Sequence, residues 1–274
     1  MIDGVVAIVG RPNVGKSTLM NAIVGERVSI VTSKAQTTRH RILGIVNDEN
    51  YQLIFSDLPG IIKPAYKMQE SMMDFVRNSL EDADAFIFVV QIGDKPENQP
   101  EEYEKIKKMN VPVLLLLNKI DLAMQEEVEE QVNVWTADFP AAQVIPFSAM
   151  LQINTDLIMK NLVEILPESP PYFDKEEWTD KPERFFVTEV IREKILRNYK
   201  QEIPYSCEVV CMQFKEEESI IRISVDIYVE RESQKPILIG KGGDMLKRVG
   251  TQARIDLEKL KGKKIFLETH VRVA

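Results

Sequence analysis

A nine-residue segment near the start of the chain restricts the fold more than any other feature. Residues 5–9 form an apolar run, residues 10–18 read GRPNVGKST, and apolar residues resume at Leu19. This order predicts a buried strand, a glycine loop and a helix, so backbone N–H groups and a helix N-terminus converge on one anion. Glycine at positions 10 and 15 leaves room where a Cβ would collide with a phosphate. The segment therefore predicts a site for nucleotide phosphates.

This loop also supplies groups for chemistry. We expect the Lys16 ammonium to reach the β- and γ-phosphates and to neutralise charge during attack by water, which makes it a catalytic candidate. The Ser17 hydroxyl is a hard oxygen donor suited to Mg²⁺. The predicted nucleotide-binding residues of the loop are Gly10, Arg11, Pro12, Asn13, Val14, Gly15, Lys16, Ser17 and Thr18.

Length and composition limit the remaining possibilities. A chain of 274 residues is long enough for a medium domain and a small one, and we expect two. Its cysteines, Cys207 and Cys211, lack partners at metal-binding spacing, which favours core positions in a reducing compartment. Two histidines are too few for a multi-histidine metal site. No basic leader and no apolar run of ~20 residues are present, so we expect a soluble, cytoplasmic protein.

Two segments downstream of the glycine loop are placed to sense the γ-phosphate. Residues 33–41 form a polar loop in which Thr37 or Thr38 could complete a Mg²⁺ shell, although an ordinary solvated loop would look the same. A second buried strand ends at Asp57, where a carboxylate can hold the metal through water. Gly60 can offer its N–H to the γ-phosphate. Thr38 and Gly60 are therefore catalytic candidates with Lys16, and this segment adds Asp57, Leu58, Pro59, Gly60 and Ile61 to the nucleotide-binding set.

Position 61 predicts slow turnover. Many Ras-like enzymes place a water-orienting glutamine directly after this glycine, whereas the present chain has isoleucine there. An aliphatic side chain cannot orient a nucleophile. Either hydrolysis is slow, near the ~10⁻⁴ s⁻¹ of an unassisted Ras-type enzyme, or another group supplies the missing charge and alignment.

A third motif predicts the base. The apolar run at residues 111–117 delivers NKID, and one carboxylate can accept both N1–H and the 2-amino group of guanine, which adenine lacks. We expect Asp121 to recognise guanine and Asn118 to stabilise the loop. The Lys119 stem should lie along the guanine ring, and Ile120 completes the motif. After a further strand, Ser148 and Ala149 follow, and the Ala149 N–H is placed to reach guanine O6. Strands that alternate with helices in this way predict a doubly wound α/β P-loop domain.

The second half of the chain predicts a different module. Residues 167–182, rich in proline and charge, suggest a stiff linker between a GTP-binding domain at 1–166 and an RNA-binding domain at 183–274. The latter reads helix, strand, strand, helix, G-x-x-G, helix, strand, which is typical of an α+β KH module, type II-like. Alone, the glycine segment would mostly be a flexible loop, but residues 235–264 carry nine basic residues against three acidic ones. The predicted RNA-binding residues are Gly240, Lys241, Gly242, Gly243, Lys247 and Arg248.

Taken together, these segments resemble the Era family of bacterial GTPases over nearly the whole chain. The similarity is carried by GRPNVGKSTL, KAQTTRHRI at 34–42, DLPG, NKID, FSA, PERFFVTEVIREKI at 182–195 and VERESQKPILIGKGG at 229–243. The resemblance implies that Thr38 is the Mg²⁺ threonine, with Thr37 as the alternative, and that Asn13 is a candidate ligand for K⁺. It also implies binding of 16S ribosomal RNA near its 3′ end, action in assembly of the 30S ribosomal subunit, and peripheral contact with the inner membrane.

Two departures from the family pattern are visible. Leu58 stands where the family usually has threonine, and the end at Val273 and Ala274 is shorter than the family's basic tail, which we expect to weaken RNA or membrane contacts. Our leading hypothesis is a monomeric, Mg²⁺-dependent GTPase that binds GTP and GDP and couples the nucleotide state to RNA binding. One alternative is a nucleotide-gated RNA-binding module in which hydrolysis is incidental. Another GTPase of ribosome or tRNA processing is disfavoured by the KH-like element order.

Overall fold

The structure is a computed structural model that describes residues 1–34, 36–65 and 67–274. Ala35, within the polar loop predicted at 33–41, lies outside the described residues. The chain divides into two compact units, Met1–Asp180 and Lys181–Ala274. No helix in the described ranges is both long and apolar enough to cross a membrane.

The first unit contains a six-stranded sheet in the order β2-β3-β1-β4-β5-β6. All neighbouring strands are parallel except β2 and β3. The strands are β1 (Ile2–Gly10), β2 (Ile42–Asn47), β3 (Tyr51–Asp57), β4 (Ala85–Gln91), β5 (Val113–Asn118) and β6 (Gln143–Pro146). The helices are α1 (Lys16–Val24), α2 (Lys67–Glu81), α3 (Glu101–Lys107), α4 (Gln125–Asp138) and α5 (Thr155–Ile165).

Continuous apolar runs explain the centre of this sheet. β4 and β5 read AFIFVVQ and VLLLLN, and their side chains are buried almost throughout because helices cover parallel strands on both faces. On one face, Phe86, Phe88 and Trp135 belong to a single buried cluster. The predicted doubly wound α/β architecture is confirmed, and ligands of such sheets bind beyond the carboxyl ends of the strands.

Residues 167–180, here called the connector, lie against the sheet of the first unit. The side-chain oxygen of Gln52 accepts a hydrogen bond from the Phe173 N–H at 2.9 Å. Farther along, the Ile45 N–H donates to the Trp178 carbonyl at 2.9 Å, beside the edge strand β2. The sequence predicts a stiff linker over 167–182; in the structure, residues of this segment such as Phe173 and Trp178 form hydrogen bonds with strand residues more than a hundred positions earlier.

The second unit has helices on one face of a three-stranded sheet, in the order β7-β8-β9. β7 and β8 are antiparallel, while β8 and β9 are parallel. The elements are α6 (Glu183–Asn198), β7 (Cys207–Glu216), β8 (Ile220–Val229), α7 (Gln234–Ile239), α8 (Asp244–Lys261) and β9 (Lys264–Val273). Alternate residues of β8, with apolar residues of α6 and α8, form the core. The predicted element order is confirmed.

Candidate functional site

The loop between β1 and α1 has a shape that requires both of its glycines. Gly10 has φ +147° and Gly15 has φ +106°. A Cβ would lie 2.4 Å from the Val89 carbonyl oxygen at position 10, and 2.1 Å from Asn118 Nδ2 at position 15. Neither position has space for a side chain, and Gly15 lines a cavity together with Pro12 and Asn13.

Lys16 is buried at the start of α1. Its Nζ donates hydrogen bonds to the carbonyl oxygens of Gly10, at 3.2 Å, and Arg11, at 2.9 Å. Burial lowers the pKa of Lys16 to about 8, and the nearby Asp57 carboxylate acts in the opposite direction. A poorly solvated ammonium in a cavity wall is a strong point of attraction for an anion.

Three hard oxygen donors meet next to this lysine. The Ser17 hydroxyl donates to Asp57 Oδ2 at 2.8 Å, and its oxygen lies 3.0 Å from Thr38 Oγ1. Asp57 is fully buried, which raises its pKa, although the Lys16 charge opposes the shift. Two hydroxyls and one carboxylate, together with phosphate oxygens and water, form a donor set that fits Mg²⁺. Among the described residues, no cluster of three histidine, cysteine, aspartate or glutamate side chains offers another kind of metal site.

The contacts of the two candidate threonines differ. The Thr37 hydroxyl donates to the Lys34 carbonyl at 2.7 Å and lies 2.7 Å from Thr32 Oγ1, so it is engaged within its own loop. The Thr38 hydroxyl instead reaches Ser17. The Thr38 hydroxyl thus lies beside the hydrogen-bonded Ser17 and Asp57 side chains.

The segment after β3 reaches the cavity through Gly60, whereas Ile61 does not line it. Gly60 lines the cavity, and a Cβ there would lie 2.8 Å from Pro12. The Ile61 N–H donates to the Gly10 carbonyl at 3.1 Å. The Ile61 side chain is only 4% exposed and packs in the apolar cluster that contains Leu58 and Met72. The side chain of residue 61 therefore places no polar group beside the phosphate loop.

Asn118 connects three loops at the other end of the cavity. Its Nδ2 donates to the Val14 carbonyl at 2.7 Å, and its Oδ1 accepts from the Lys119 N–H at 2.7 Å and the Ala149 N–H at 3.0 Å. The Ala149 N–H, predicted to contact guanine O6, thus donates to Asn118 in the structure. Guanine O6 would have to share the Ala149 N–H with Asn118 Oδ1 or replace Asn118 Oδ1 as its acceptor.

The guanine-reading candidate is held by the loop after β6. Asp121 is exposed, and its Oδ1 accepts a hydrogen bond from the Ser148 hydroxyl at 2.6 Å. Lys119, with φ +66°, donates from Nζ to the Asn13 carbonyl at 3.0 Å and to Gln91 Oε1 at 2.5 Å. Its stem therefore bridges the phosphate loop and the base-reading loop.

One cavity of about 520 Å³ unites most of the predicted nucleotide-binding residues. The predicted site residues that line it are Pro12, Asn13, Gly15, Lys16, Ser17, Thr18, Thr37, Thr38, Gly60, Asn118, Lys119, Asp121 and Ala149. Those outside the lining are Gly10, Arg11, Val14, Asp57, Leu58, Pro59, Ile61, Ile120 and Ser148. The lining residues that the motifs missed are Ile30, Val31, Thr32, Ser33, Gln36, Leu122 and Met150. Adjacency to a motif could have indicated the last two.

Two of the loop residues have other partners. An Arg11 guanidinium nitrogen lies 3.7 Å from an Asp94 carboxylate oxygen. The side-chain amide of Asn13 donates to the Ser33 carbonyl at 3.1 Å. Arg11 is thus paired beside the phosphate loop, and Asn13 connects that loop to the segment that leads to Thr38.

The glycine segment of the second unit forms a loop between α7 and α8. Gly240, Gly242 and Gly243 have φ values of +76°, +61° and +83°. A Cβ on Gly240 would lie 2.7 Å from the Met245 side chain, whereas a Cβ on either of the other two would meet nothing within 4 Å. Three basic side chains in this loop and in the first turns of α8 are exposed: Lys241, Lys247 and Arg248. A nucleic-acid backbone can approach such a loop closely.

Fold and site together define a P-loop GTP-binding protein with a C-terminal KH module. A family model described as "50S ribosome-binding GTPase" matches residues 5–119, and one described as "KH domain" matches residues 202–274. The GTPase Era of Geotalea daltonii is 44% identical over 274 residues, covering 99% of this chain and 92% of the relative. That of Staphylococcus epidermidis is 42% identical, covering 99% and 91%. The chain belongs to the Era family of GTPases.

Solved structures of the family agree with the fold. A crystal structure of Era in complex with MgGDPNP and nucleotides 1506–1542 of 16S ribosomal RNA is 38% identical, with a TM-score of 0.94, and the match covers 100% of this chain and 94% of that one. A single-residue variant of Aquifex aeolicus Era bound to GDP·AlF4⁻ is 37% identical, with the same TM-score and coverage. The predicted fold class and family are confirmed.

Proposed function

We propose that the first unit binds GTP and GDP in its cavity and hydrolyses GTP with Mg²⁺, and that the second unit binds 16S ribosomal RNA near its 3′ end during assembly of the small ribosomal subunit. One observation carries the nucleotide part: Ser17 lines one cavity with Thr38 and Asp121, and it contacts both the Thr38 hydroxyl and the Asp57 carboxylate behind the lining. A phosphate-and-metal end and a guanine-reading end thus belong to one cavity. The crystal structure of the relative with MgGDPNP and RNA supports both parts.

Each group near the phosphates has a distinct task in this proposal. Backbone N–H groups at the start of α1 and the Lys16 ammonium bind the phosphate oxygens. Ser17, Thr38 and Asp57 would hold Mg²⁺, which when bound supplies further neutralisation of phosphate charge. Gly60 offers its N–H to the γ-phosphate, since its backbone borders the cavity.

Slow intrinsic hydrolysis follows from the burial of Ile61, because no side chain at that position can align water. We propose that K⁺ near Asn13 provides part of the missing charge, as the family resemblance implies. Single-turnover assays in K⁺ and in Na⁺ test this point. A rate near ~10⁻⁴ s⁻¹ in Na⁺ that rises in K⁺ is expected, whereas fast and equal rates would contradict it.

Calorimetry on the full chain tests the base assignment. We expect wild type to prefer GDP over ADP by at least about 100-fold, because adenine leaves the Asp121 acceptor unpaired. Asp121→Asn replaces one carboxylate oxygen with an N–H donor, so it should lose GDP affinity and gain affinity for xanthosine diphosphate, whose ring carries a carbonyl in place of the 2-amino group. Asp156→Asn, an exposed carboxylate outside the cavity lining, is the matched control. Equal wild-type affinity for GDP and ADP would refute the proposal.

Charge reversal on α8 and its glycine loop tests the RNA part. The double variant Lys241→Glu, Lys247→Glu should bind an RNA that spans the 3′ end of 16S ribosomal RNA at least about tenfold more weakly. The reason is that two cations proposed to contact the RNA phosphates are lost. Lys259→Glu, at the far end of α8, gives the same charge change per site away from the loop. Unchanged binding by the double variant would refute the assignment. Comparing GTP with GDP measures the coupling between the two units.

Ile61 also favours a second candidate, in which nucleotide state gates RNA binding and hydrolysis is incidental. Asp57→Ala separates the two: normal small-subunit assembly in cells with a hydrolysis-deficient chain would support the gate. Peripheral membrane contact rests on the family resemblance alone, and vesicle flotation tests it. The proposed monomer is tested by light scattering.

A further inference from the structure

Asn21 is a polar side chain of α1 that belongs neither to the recognition motifs nor to the cavity lining. Its Oδ1 accepts hydrogen bonds from the backbone N–H groups of Val28, at 3.0 Å, and Ser29, at 2.9 Å. Its Nδ2 donates to the Ser29 carbonyl at 2.8 Å. The side-chain amide of Asn21 thus uses both of its ends on the backbone that follows α1.

The backbone that Asn21 holds is the start of a segment that enters the cavity wall. Val28, Ser29 and Ile30 are buried, and residues 30–33 line the cavity. Buried backbone N–H and C=O groups need hydrogen-bond partners. Asn21 supplies three of these partners at the point where the segment enters the first unit.

Further hydrogen bonds continue from this segment towards Thr38. The Lys34 N–H donates to Thr32 Oγ1 at 3.1 Å. The Thr37 hydroxyl donates to the Lys34 carbonyl at 2.7 Å and lies 2.7 Å from Thr32 Oγ1. Thr38 follows directly, with its Oγ1 3.0 Å from the Ser17 hydroxyl oxygen. The segment therefore ends beside the serine of the metal site.

Both ends of this segment meet one face of α1. Ser17 and Asn21 are four residues apart in the helix, so their side chains lie on the same face. The contacts at Asn21 are made to backbone and require no metal. The contact at Ser17 joins two hydroxyls that we assign to Mg²⁺.

We propose that Asn21 is a positioning residue for the metal end of the cavity: by fixing the backbone of Val28 and Ser29, it places Thr38 beside Ser17. This inference rests on the proposed function and adds to it a residue outside the cavity lining. Without the Asn21 contacts, more backbone must be ordered each time the Thr38 hydroxyl is brought to the metal, and that ordering costs free energy. The cost falls on the metal-dependent part of nucleotide binding.

Two substitutions at Asn21 grade the effect, and Asn161 provides a matched control. Asn21→Ala removes all three contacts, whereas Asn21→Asp keeps both acceptor contacts and loses only the donation to Ser29. Asn161 is a buried asparagine of α5 outside the cavity lining, and its Nδ2 donates to the Leu157 carbonyl of its own helix at 2.7 Å. Asn161→Ala therefore removes a helical asparagine without touching the segment at residues 28–38.

The first measurement is amide hydrogen exchange on the full chain without nucleotide or metal. In Asn21→Ala, the amides of Val28 and Ser29 should exchange at least about tenfold faster than in wild type, because they lose their acceptor. In Asn161→Ala, both amides should exchange as in wild type. This readout is independent of hydrolysis and of Mg²⁺.

The second measurement separates metal-dependent from metal-free binding. The Mg²⁺ concentration that half-saturates GDPNP binding should rise about fivefold in Asn21→Ala and about twofold in Asn21→Asp, as expected for the loss of hydrogen bonds that order one segment. GDP affinity in EDTA should stay within about twofold of wild type, because Lys16 and the guanine-reading loops are intact. Asn161→Ala should match wild type in both assays.

Three results overturn the positioning role: unchanged exchange at Val28 and Ser29 in Asn21→Ala, an unchanged Mg²⁺ requirement in that variant, or an equal loss of GDP affinity in EDTA, which would make Asn21 a general support of the fold. If Asn21→Ala does not fold, an unchanged Mg²⁺ requirement in Asn21→Asp overturns the role instead. The proposed function is judged separately, by the preference of wild type for GDP over ADP. If that preference is present and the Asn21 variants behave as wild type, only the positioning role is wrong.

Discussion

The buried Lys16 predicts that GDP binding takes up a proton at mildly alkaline pH. Burial lowers the pKa of Lys16 to about 8. The phosphates of a bound nucleotide place negative charge beside the ammonium and raise this pKa back towards the ordinary value. At a pH between these two pKa values, the chain with a protonated Lys16 binds nucleotide better than the chain with a neutral Lys16. Nucleotide binding and protonation of Lys16 are therefore linked.

The size of the effect follows from the two pKa values. With a pKa of about 8 before binding and roughly 10.5 after it, binding takes up about 0.1 proton at pH 7 and about 0.75 proton at pH 8.5. The dissociation constant for GDP should then rise about fourfold between these pH values. Affinity falls as pH rises through the free-state pKa, and the decline ends once pH exceeds the bound-state pKa.

Calorimetry in two buffers of different ionisation enthalpy counts these protons directly. Wild type is compared with Lys16→Met at higher concentration, because the difference between them cancels protons that the nucleotide itself takes up or releases. The expected difference is about 0.1 proton at pH 7 and about 0.75 proton at pH 8.5. If wild type and Lys16→Met take up the same number of protons at pH 8.5, the assignment of a desolvated Lys16 to the phosphates is wrong.

Three further substitutions test local features of the first unit. Gly15→Ala should abolish GDP binding in calorimetry and lower the free energy of unfolding by about 2 kcal/mol or more, because its Cβ would meet Asn118 at a positive φ; normal binding would contradict this. Ile61→Ala should cost about 2–4 kcal/mol in urea unfolding and leave the single-turnover rate within about twofold; a tenfold slower rate would show a catalytic role for the side chain. Tyr103→Phe should cost about 1–2 kcal/mol in the same unfolding assay, since its hydroxyl donates to Asp138 at 2.6 Å; an unchanged midpoint would exclude a stabilising bond.

Element type and order follow from local pattern in most of this chain. The second buried strand, predicted to end at Asp57, ends there in the structure, and most of β5 lies within the apolar run at residues 111–117. Composition revealed much less about the connector. Proline and charge indicate that residues 167–180 do not fold alone, but their partners, such as Gln52, are set by tertiary structure. Short-range pattern carries no information about that pairing.

Motif spacing predicted which residues share the cavity, because each motif ends a parallel strand at the same edge of the sheet. It did not predict their contacts. Thr37 and Thr38 are chemically identical neighbours, and only the path of the loop distinguishes the hydroxyl that reaches Ser17. Likewise, the engagement of the Ala149 N–H with Asn118 depends on how three loops pack.

The pairing of the connector with β2 decides where the polypeptide can be divided. β2 is an edge strand of its sheet, and an uncovered edge strand is a template for aggregation through intermolecular pairing. Trp178 accepts a backbone hydrogen bond there, and the Thr179 hydroxyl donates to the Leu43 carbonyl at 2.7 Å. A fragment that ends at residue 166 would leave the backbone groups of β2 unpaired and would self-associate. A fragment that extends to Asp180 keeps the connector residues that form hydrogen bonds with β2.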